Sequence, residues 1–334
     1  MSTTPFWESR PEGNPVEIVT RAQALCLSGG GYRGLYTARI LEHLQDSASR
    51  ALHSYFRFIA GTSIGAMIAA ALAVNIPVGQ IRTALQTMGP RLFTRRPFHS
   101  VYQWFRAPYE PEILSQCLTH LFDKATPAGI LDRPLYDQPL PLVIVATSAT
   151  SHEPRIYCGD GIGFSVDKET TLREALIASA AAPTYFPAKL VRDEAMLDGG
   201  LIANAPDAIA LGLLQRRFGA QLTDCHVLSI GTCAPRPKVA AIRAIQSGLL
   251  GWLRRKPNIV TVTLDAQERL TIHILDQLLG DRFYRIDSEP RDADAEAISS
   301  LDHCEPRTTQ ALLRLADEKF RNISADPRLA DYFS

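Results

Sequence analysis

The sequence predicts an α/β fold with helices packed on a largely parallel sheet, and three observations lead there. Four short apolar runs, Ala24–Ser28, Phe56–Ala60, Leu142–Thr147 and Val227–Ile230, have strand length. Leu142–Thr147 is continuous, without polar alternation, as in strands buried on both faces of a parallel sheet. Stretches with helical spacing fall between the runs, and strands alternating with helices are the signature of such folds.

The elements follow in chain order. Residues 1–21 read as a polar arm, with three prolines and no apolar core, unlike a signal or transit peptide. Ala24–Ser28 leads into Gly29-Gly30-Gly31. Leu35–Leu44 is helical, with Leu35, Ile40, Leu41 and Leu44 sharing a face. Phe56–Ala60 is cut by Gly61 and followed by an Ala-rich helix, Ile64 to Val74. Further helices are expected over about 77–88, 111–123, 171–180, 204–217, 239–254 and 258–279. One domain is expected over 22–334, with 235–334 a mainly helical C-terminal part.

Composition narrows the function. The 334 residues are 46% hydrophobic and 21% charged, which excludes disorder, collagen-like repeats and coiled coil. Thirty-five basic residues balance thirty-five acidic ones, so nothing suggests wrapping of a nucleic-acid polymer, whose affinity comes mostly from neutralised phosphates. The longest apolar run, Ala66–Val74, is about half a membrane span. The expectation is a cytoplasmic protein. Six cysteines show no metal-ligand spacing. Residues 91–106 break the α/β pattern, with four arginines, no acid, and Phe93, Phe98, Tyr102, Trp104 and Phe105 interleaved. That mixture suits a lipid interface or a gating loop, and equally a loop with tucked aromatics and solvated arginines.

Three motifs carry chemistry. Gly61-Thr62-Ser63-Ile64-Gly65 is a GxSxG between a strand and a helix, the setting of a nucleophile elbow. Gly29-Gly30-Gly31-Tyr32-Arg33-Gly34 also lies between a strand and a helix. Its backbone N–H groups suit an anion. It fits the dinucleotide fingerprint GxGxxG but lacks the Gly-Lys-Ser/Thr of a phosphate loop, and a downstream serine nucleophile makes an oxyanion hole the better use. The third is Asp198-Gly199-Gly200, which alone reads as a turn. The base for Ser63 is open between two readings: a triad using His226, His273 or His303, or a dyad with a carboxylate as direct base.

In this order the motifs resemble those of the patatin-like phospholipases. Ala178-Ser179-Ala180-Ala181-Ala182-Pro183-Thr184-Tyr185-Phe186-Pro187 is similar to that family's ASxAxPxxFxP segment. The resemblance covers about 24–232. It implies a three-layer α/β/α fold and a Ser63–Asp198 dyad supported by Gly61, Gly65, Gly199 and Gly200. It also implies an oxyanion hole from Gly29, Gly30 and Gly31 with Arg33 nearby, no calcium or other cofactor, and a glycerophospholipid acyl ester as substrate. More narrowly, length and the helical tail look like the bacterial patatin effectors of antiphage signalling. There a cyclic dinucleotide such as cyclic GMP–AMP switches on attack at the inner face of the cell's own membrane. Arg236, Lys238, Arg254 and Arg255, with Trp252, are the candidate ligand-binding residues. A solvated basic helix end is the plainer reading.

Overall fold

The computed structural model of the chain describes residues 21–94, 107–123, 126–159, 168–235, 259–290 and 292–334. Its centre is one mixed sheet. Strands β1 (Ala22–Leu27), β2 (Phe58–Thr62), β3 (Leu142–Ser148), β7 (Cys225–Ile230) and β8 (Phe283–Ile286) run parallel in the order β3-β2-β1-β7-β8. Beyond β3, β6 (Glu194–Asp198) pairs antiparallel with it, β5 (Lys189–Val191) pairs with β6, and β4 (Pro154–Cys158) also pairs with β3. The four predicted strands form the parallel centre. Short β4, β5, β6 and β8 were not anticipated. Three of them are antiparallel additions with exposed or half-buried ends, so they lack the continuous apolar run that marks a central strand.

Side-chain alternation along the strands divides the core in two. Leu25, Leu27, Ile59, Leu142, Ile144, Leu228 and Ile230 join one buried cluster, and Ala22, Ala24, Cys26, Phe58, Ala60, Val143 and Val227 join the other. Period-two alternation with both faces covered makes three layers. The first face carries α1 (Gly34–Ser47), α2 (Ile64–Ala73), α3 (Val78–Leu92), α4 (Pro111–Phe122), α5 (Leu172–Ser179) and, from the C-terminal part, α10 (Pro306–Ile323). The second carries α7 (Asp207–Phe218) and α8 (Ile259–Leu279). Short helices α6 (Gly200–Ala203), α9 (Asp292–Ala297) and α11 (Pro327–Asp331) complete the α-helices of the described residues.

Helix α3 runs four residues past its predicted end, through Gly89 and Pro90. Both residues disfavour a helix interior, but here a neighbour decides: a Cβ on Gly89 would lie 2.3 Å from the Tyr32 ring. The missing side chain lets α3 press against the glycine loop. Tyr32 in turn hydrogen-bonds Thr309 of α10 at 2.8 Å. The region after 235 is therefore more than a helical addition, since it supplies an edge strand and one cover of the sheet. The helix expected over 239–254 lies outside the described residues, as do Arg236, Lys238, Trp252, Arg254 and Arg255, and 95–106 of the basic-aromatic stretch.

Candidate active site

The site forms where β1, β2 and β6 end. Strand β2 leaves β3 after Thr62, which sits opposite Val145. The next residue of β3, Ala146, is opposite Asp198. Strand β4 occupies the other edge of β3 over this stretch, so β6 continues the edge that β2 vacates. One register step therefore brings Asp198 beside Ser63.

Ser63 holds φ at 55°, in the left-handed region that side-chain-bearing residues avoid. Such a conformation costs on the order of 1–3 kcal/mol and persists only where the surroundings enforce it. Both flanking glycines are enforced by contact. A Cβ on Gly61 would lie 2.4 Å from the Gly65 carbonyl oxygen, and one on Gly65 2.2 Å from that of Leu27. The Ser63 N–H donates to Ser179 Oγ at 2.9 Å, and that hydroxyl donates to the Val145 carbonyl at 2.6 Å. Ser179, from the ASxAxPxxFxP segment, thus clamps the elbow to β3.

Asp198 is 7% exposed. Burial pushes its carboxyl up from 3.8 to about 6, against the lowering effect of bonds from the Gly200 N–H and the Ser63 hydroxyl. The Gly200 bond is 2.7 Å. Gly199 has no room for a side chain, because a Cβ there would lie 2.1 Å from the Val145 carbonyl oxygen.

The glycine loop faces this pair. A Cβ on Gly29 would lie 3.3 Å from Ser63 Cβ. The Gly29 N–H is already bonded, donating to the Asn204 carbonyl at 3.0 Å. Among the described residues the N–H groups of Gly30 and Gly31 have no acceptor. Of the three expected donors, these two are free for an anion, while Gly29 anchors the loop. Arg33 lines the same cavity, with its Nε buried and unpartnered among the described residues.

The cavity holds about 480 Å³ and is mostly apolar. Ser63, Asp198 and the glycine loop line it together with Leu85, Met88 and Leu92 of α3 and Leu114, Leu118 and Leu121 of α4. These wall residues were invisible as a site in the sequence, where they read as ordinary amphipathic helix faces. Among the described residues no histidine lines the cavity. His226 stacks edge-on to Tyr332, His303 bonds the Ala297 carbonyl at 3.3 Å, and His273 lies in a separate groove beside β8. Of the candidate bases, Asp198 lines the cavity with Ser63 and these three histidines do not.

Sequence reasoning also missed the segment that ties the motifs together. The Ala203 carbonyl accepts from Thr62 Oγ1 at 2.7 Å, next to Ser63, while the Asn204 carbonyl takes the Gly29 N–H. The signal was Asn204-Ala205-Pro206 just after the Asp-Gly-Gly box.

A "Patatin-like phospholipase" family profile matches residues 25–211, more than half of the chain. A "cGAMP-activated phospholipase" of Pseudomonas aeruginosa (strain BWHPSA011 / Pa011) is 31% identical over 314 residues, covering 91% of this chain and 89% of the relative. One of the same name from Vibrio cholerae serotype O1 is 28% identical, covering 96% and 97%. A "cUMP-AMP-activated phospholipase" of Escherichia coli is 26% identical, covering 73% and 75%. Likeness at this level along nearly the whole chain, on top of the matched motifs, fixes the assignment: the chain belongs to the patatin-like phospholipase family.

Proposed function

We propose that this chain hydrolyses acyl esters of membrane glycerophospholipids by covalent catalysis, and that a cyclic dinucleotide activates it. The observation that carries the chemistry is the strained Ser63 and the buried Asp198 lining one cavity with the glycine loop. A carboxylate of ordinary pKa is a poor base for a serine hydroxyl; one raised by burial is better matched to neutral pH while still ionised there. Asp198 takes the Ser63 proton as Oγ attacks the ester carbonyl. The Gly30 and Gly31 N–H groups receive the developing oxyanion. The alcohol portion leaves with the proton, and water, deprotonated by Asp198, releases the fatty acid. The apolar walls from α3 and α4 suit an acyl chain.

Activation by a cyclic dinucleotide is supported by the relatives, two named as activated by cGAMP and one by cUMP-AMP. Cyclic GMP–AMP is the first ligand to try. The reading places the enzyme in the cytoplasm, acting peripherally at the inner face of the membrane as an antiphage effector. No helix of the described residues is long and apolar enough to cross a membrane. The test is fatty-acid release from vesicles of phosphatidylethanolamine and phosphatidylglycerol, with and without cyclic GMP–AMP, cyclic UMP–AMP and cyclic di-GMP. Release that Ser63→Ala removes is expected. Absence of release under every condition overturns the proposal, and full release without any nucleotide leaves a constitutive lipase.

A further inference from the structure

Three consecutive glycines make a floppy loop, since glycine loses more backbone freedom on folding than any other residue. An oxyanion hole needs the opposite, donors fixed before the reaction begins. Something must hold Gly29–Gly31 in place. Asn204 grips Gly29 at both polar atoms: its carbonyl takes the Gly29 N–H at 3.0 Å, and its side-chain Nδ2 donates to the Gly29 carbonyl at 3.3 Å. The second bond exists only if the amide of Asn204 points its nitrogen toward the loop. Glu268 of α8 imposes that orientation, accepting from the same Nδ2 at 2.5 Å, while the neighbouring Gln267 accepts the Asn204 backbone N–H at 3.1 Å.

Glu268 is held in turn. Its other oxygen accepts from Arg285 Nη2 at 2.5 Å, and the two side chains are 13% and 11% exposed. Arg285 sits on β8 and also donates to Ser28, the residue before the glycine loop, at 2.9 Å, and to Asp287 at 2.8 Å. A cluster of charges this deep carries a large desolvation cost, and an apolar replacement is often no less stable. Stability alone does not account for it; a fixed geometry at Ser28 and Gly29 does. Both Glu268 and Arg285 lie outside the 25–211 stretch that the family profile matches.

We infer that Glu268 is a positioning residue for the oxyanion loop, acting through the amide of Asn204 and braced by Arg285. The inference rests on the hydrolase reading above. It makes the C-terminal part of the chain a working component of the active site.

An exchange of hydrogen-bonding roles tests it, measured as kcat and KM on a soluble short-chain ester under the condition in which the wild type turns over. Asn204→Asp removes the donor and sets a second carboxylate against Glu268. It should lower kcat about 100-fold, the scale of a lost oxyanion donor, with KM within about threefold because the acyl cavity is untouched. Adding Glu268→Gln relieves the clash of carboxylates but leaves position 204 without a donor for the Gly29 carbonyl, so the double variant should remain at least tenfold below the wild type in kcat. Glu268→Gln by itself should lose kcat with KM held, and labelling of Ser63 by a fluorophosphonate should slow in proportion. Unchanged kcat in Glu268→Gln overturns the inference even if Asn204→Asp fails to fold. So does a loss carried by KM, or a double variant that folds and recovers wild-type kcat without a donor to Gly29. A wild type that cleaves no ester under any condition overturns the hydrolase reading instead.

Discussion

Asp198 carries a conflict between function and stability that pH should expose. Burial raises its carboxyl from 3.8 to about 6 in the folded chain. The unfolded chain releases this proton near 3.8, so between the two values the folded state binds more protons and stability falls as pH rises. The contribution is fully present below about 4 and lost above about 6, and its full size is about 3 kcal/mol from the difference in pKa. Asp198→Asn should therefore abolish hydrolysis and raise unfolding stability by up to about 3 kcal/mol at pH 8, a gain that shrinks as pH drops through 6. Urea titrations at three pH values check it, and equal stability at pH 8 would contradict the buried charge. The same ionisation should set the activity profile, with kcat/KM on a soluble ester rising with pH to a plateau around an apparent pKa of about 6. Ser63→Ala, Asp198→Asn and the double variant should share one floor if, as proposed, the two residues act as a unit. Of this residue-scale detail, Ser63 and Asp198 were legible from their motifs, whereas the raised carboxyl was not: it depends on β6 following β2 along β3, a register that no local run of residues encodes.

At the scale of single elements the glycine loop is confined differently at each position. A Cβ on Gly30 would meet the Thr232 side chain at 2.4–2.7 Å, and one on Gly31 would meet the Leu301 carbonyl oxygen at 2.4 Å in a residue with φ of +58°. Each Gly→Ala change should cost about 10²–10³ in kcat, the loss of one oxyanion donor. The two should differ in rescue. Thr232→Gly removes the obstacle at Gly30 and should restore part of the activity of Gly30→Ala. The obstacle at Gly31 is backbone, and no second-site change at Leu301 should help. Equal rescue of both would mean that loop geometry is not the cause. Helices α3 and α4 make a separate prediction. Leu85→Trp fills the cavity they line, so it should depress turnover of long acyl esters far more than of butyrate esters, measured as a ratio of kcat/KM. The loop and the elbow were readable because glycine and serine patterns mark backbone needs directly. The apolar wall was not, because Leu85 and Leu118 carry the same spacing whether a helix faces packed core or empty cavity.

At the scale of the whole molecule, we propose that residues 22–334 fold as one unit. Strand β8 pairs with β7 across four register positions, and α10 lies on α1 with Arg39 and His43 both bonding Asp317 at 2.7 Å. A chain ending at residue 235 would expose the β7 edge and the faces of α1 and α7, and should be insoluble or unfolded by circular dichroism. That dependence bears on regulation, because a phospholipase active on its own cell's membrane needs restraint. Residues 236–258, which contain Arg236, Lys238, Trp252, Arg254 and Arg255, lead directly into α8, the helix that supplies Gln267 and Glu268 to Asn204. Arginines and an aromatic are the side chains that bind phosphates and stack on a base. A nucleotide bound there would act on α8 along the chain itself and so reach the glycine loop through Asn204. It can switch the enzyme only by favouring the active form, and moving a population from 1:99 to 99:1 takes roughly 5.5 kcal/mol of differential affinity. The expected outcome is a nearly silent free enzyme that cyclic GMP–AMP activates, and an Arg254→Glu/Arg255→Glu variant that binds the nucleotide more weakly and needs more of it for half-activation. Calorimetric titration into the Ser63→Ala background separates binding from turnover. If activation survives the charge reversal with unchanged affinity, the ligand sits away from Arg254 and Arg255, and the four arginines of 91–106 are the next to reverse.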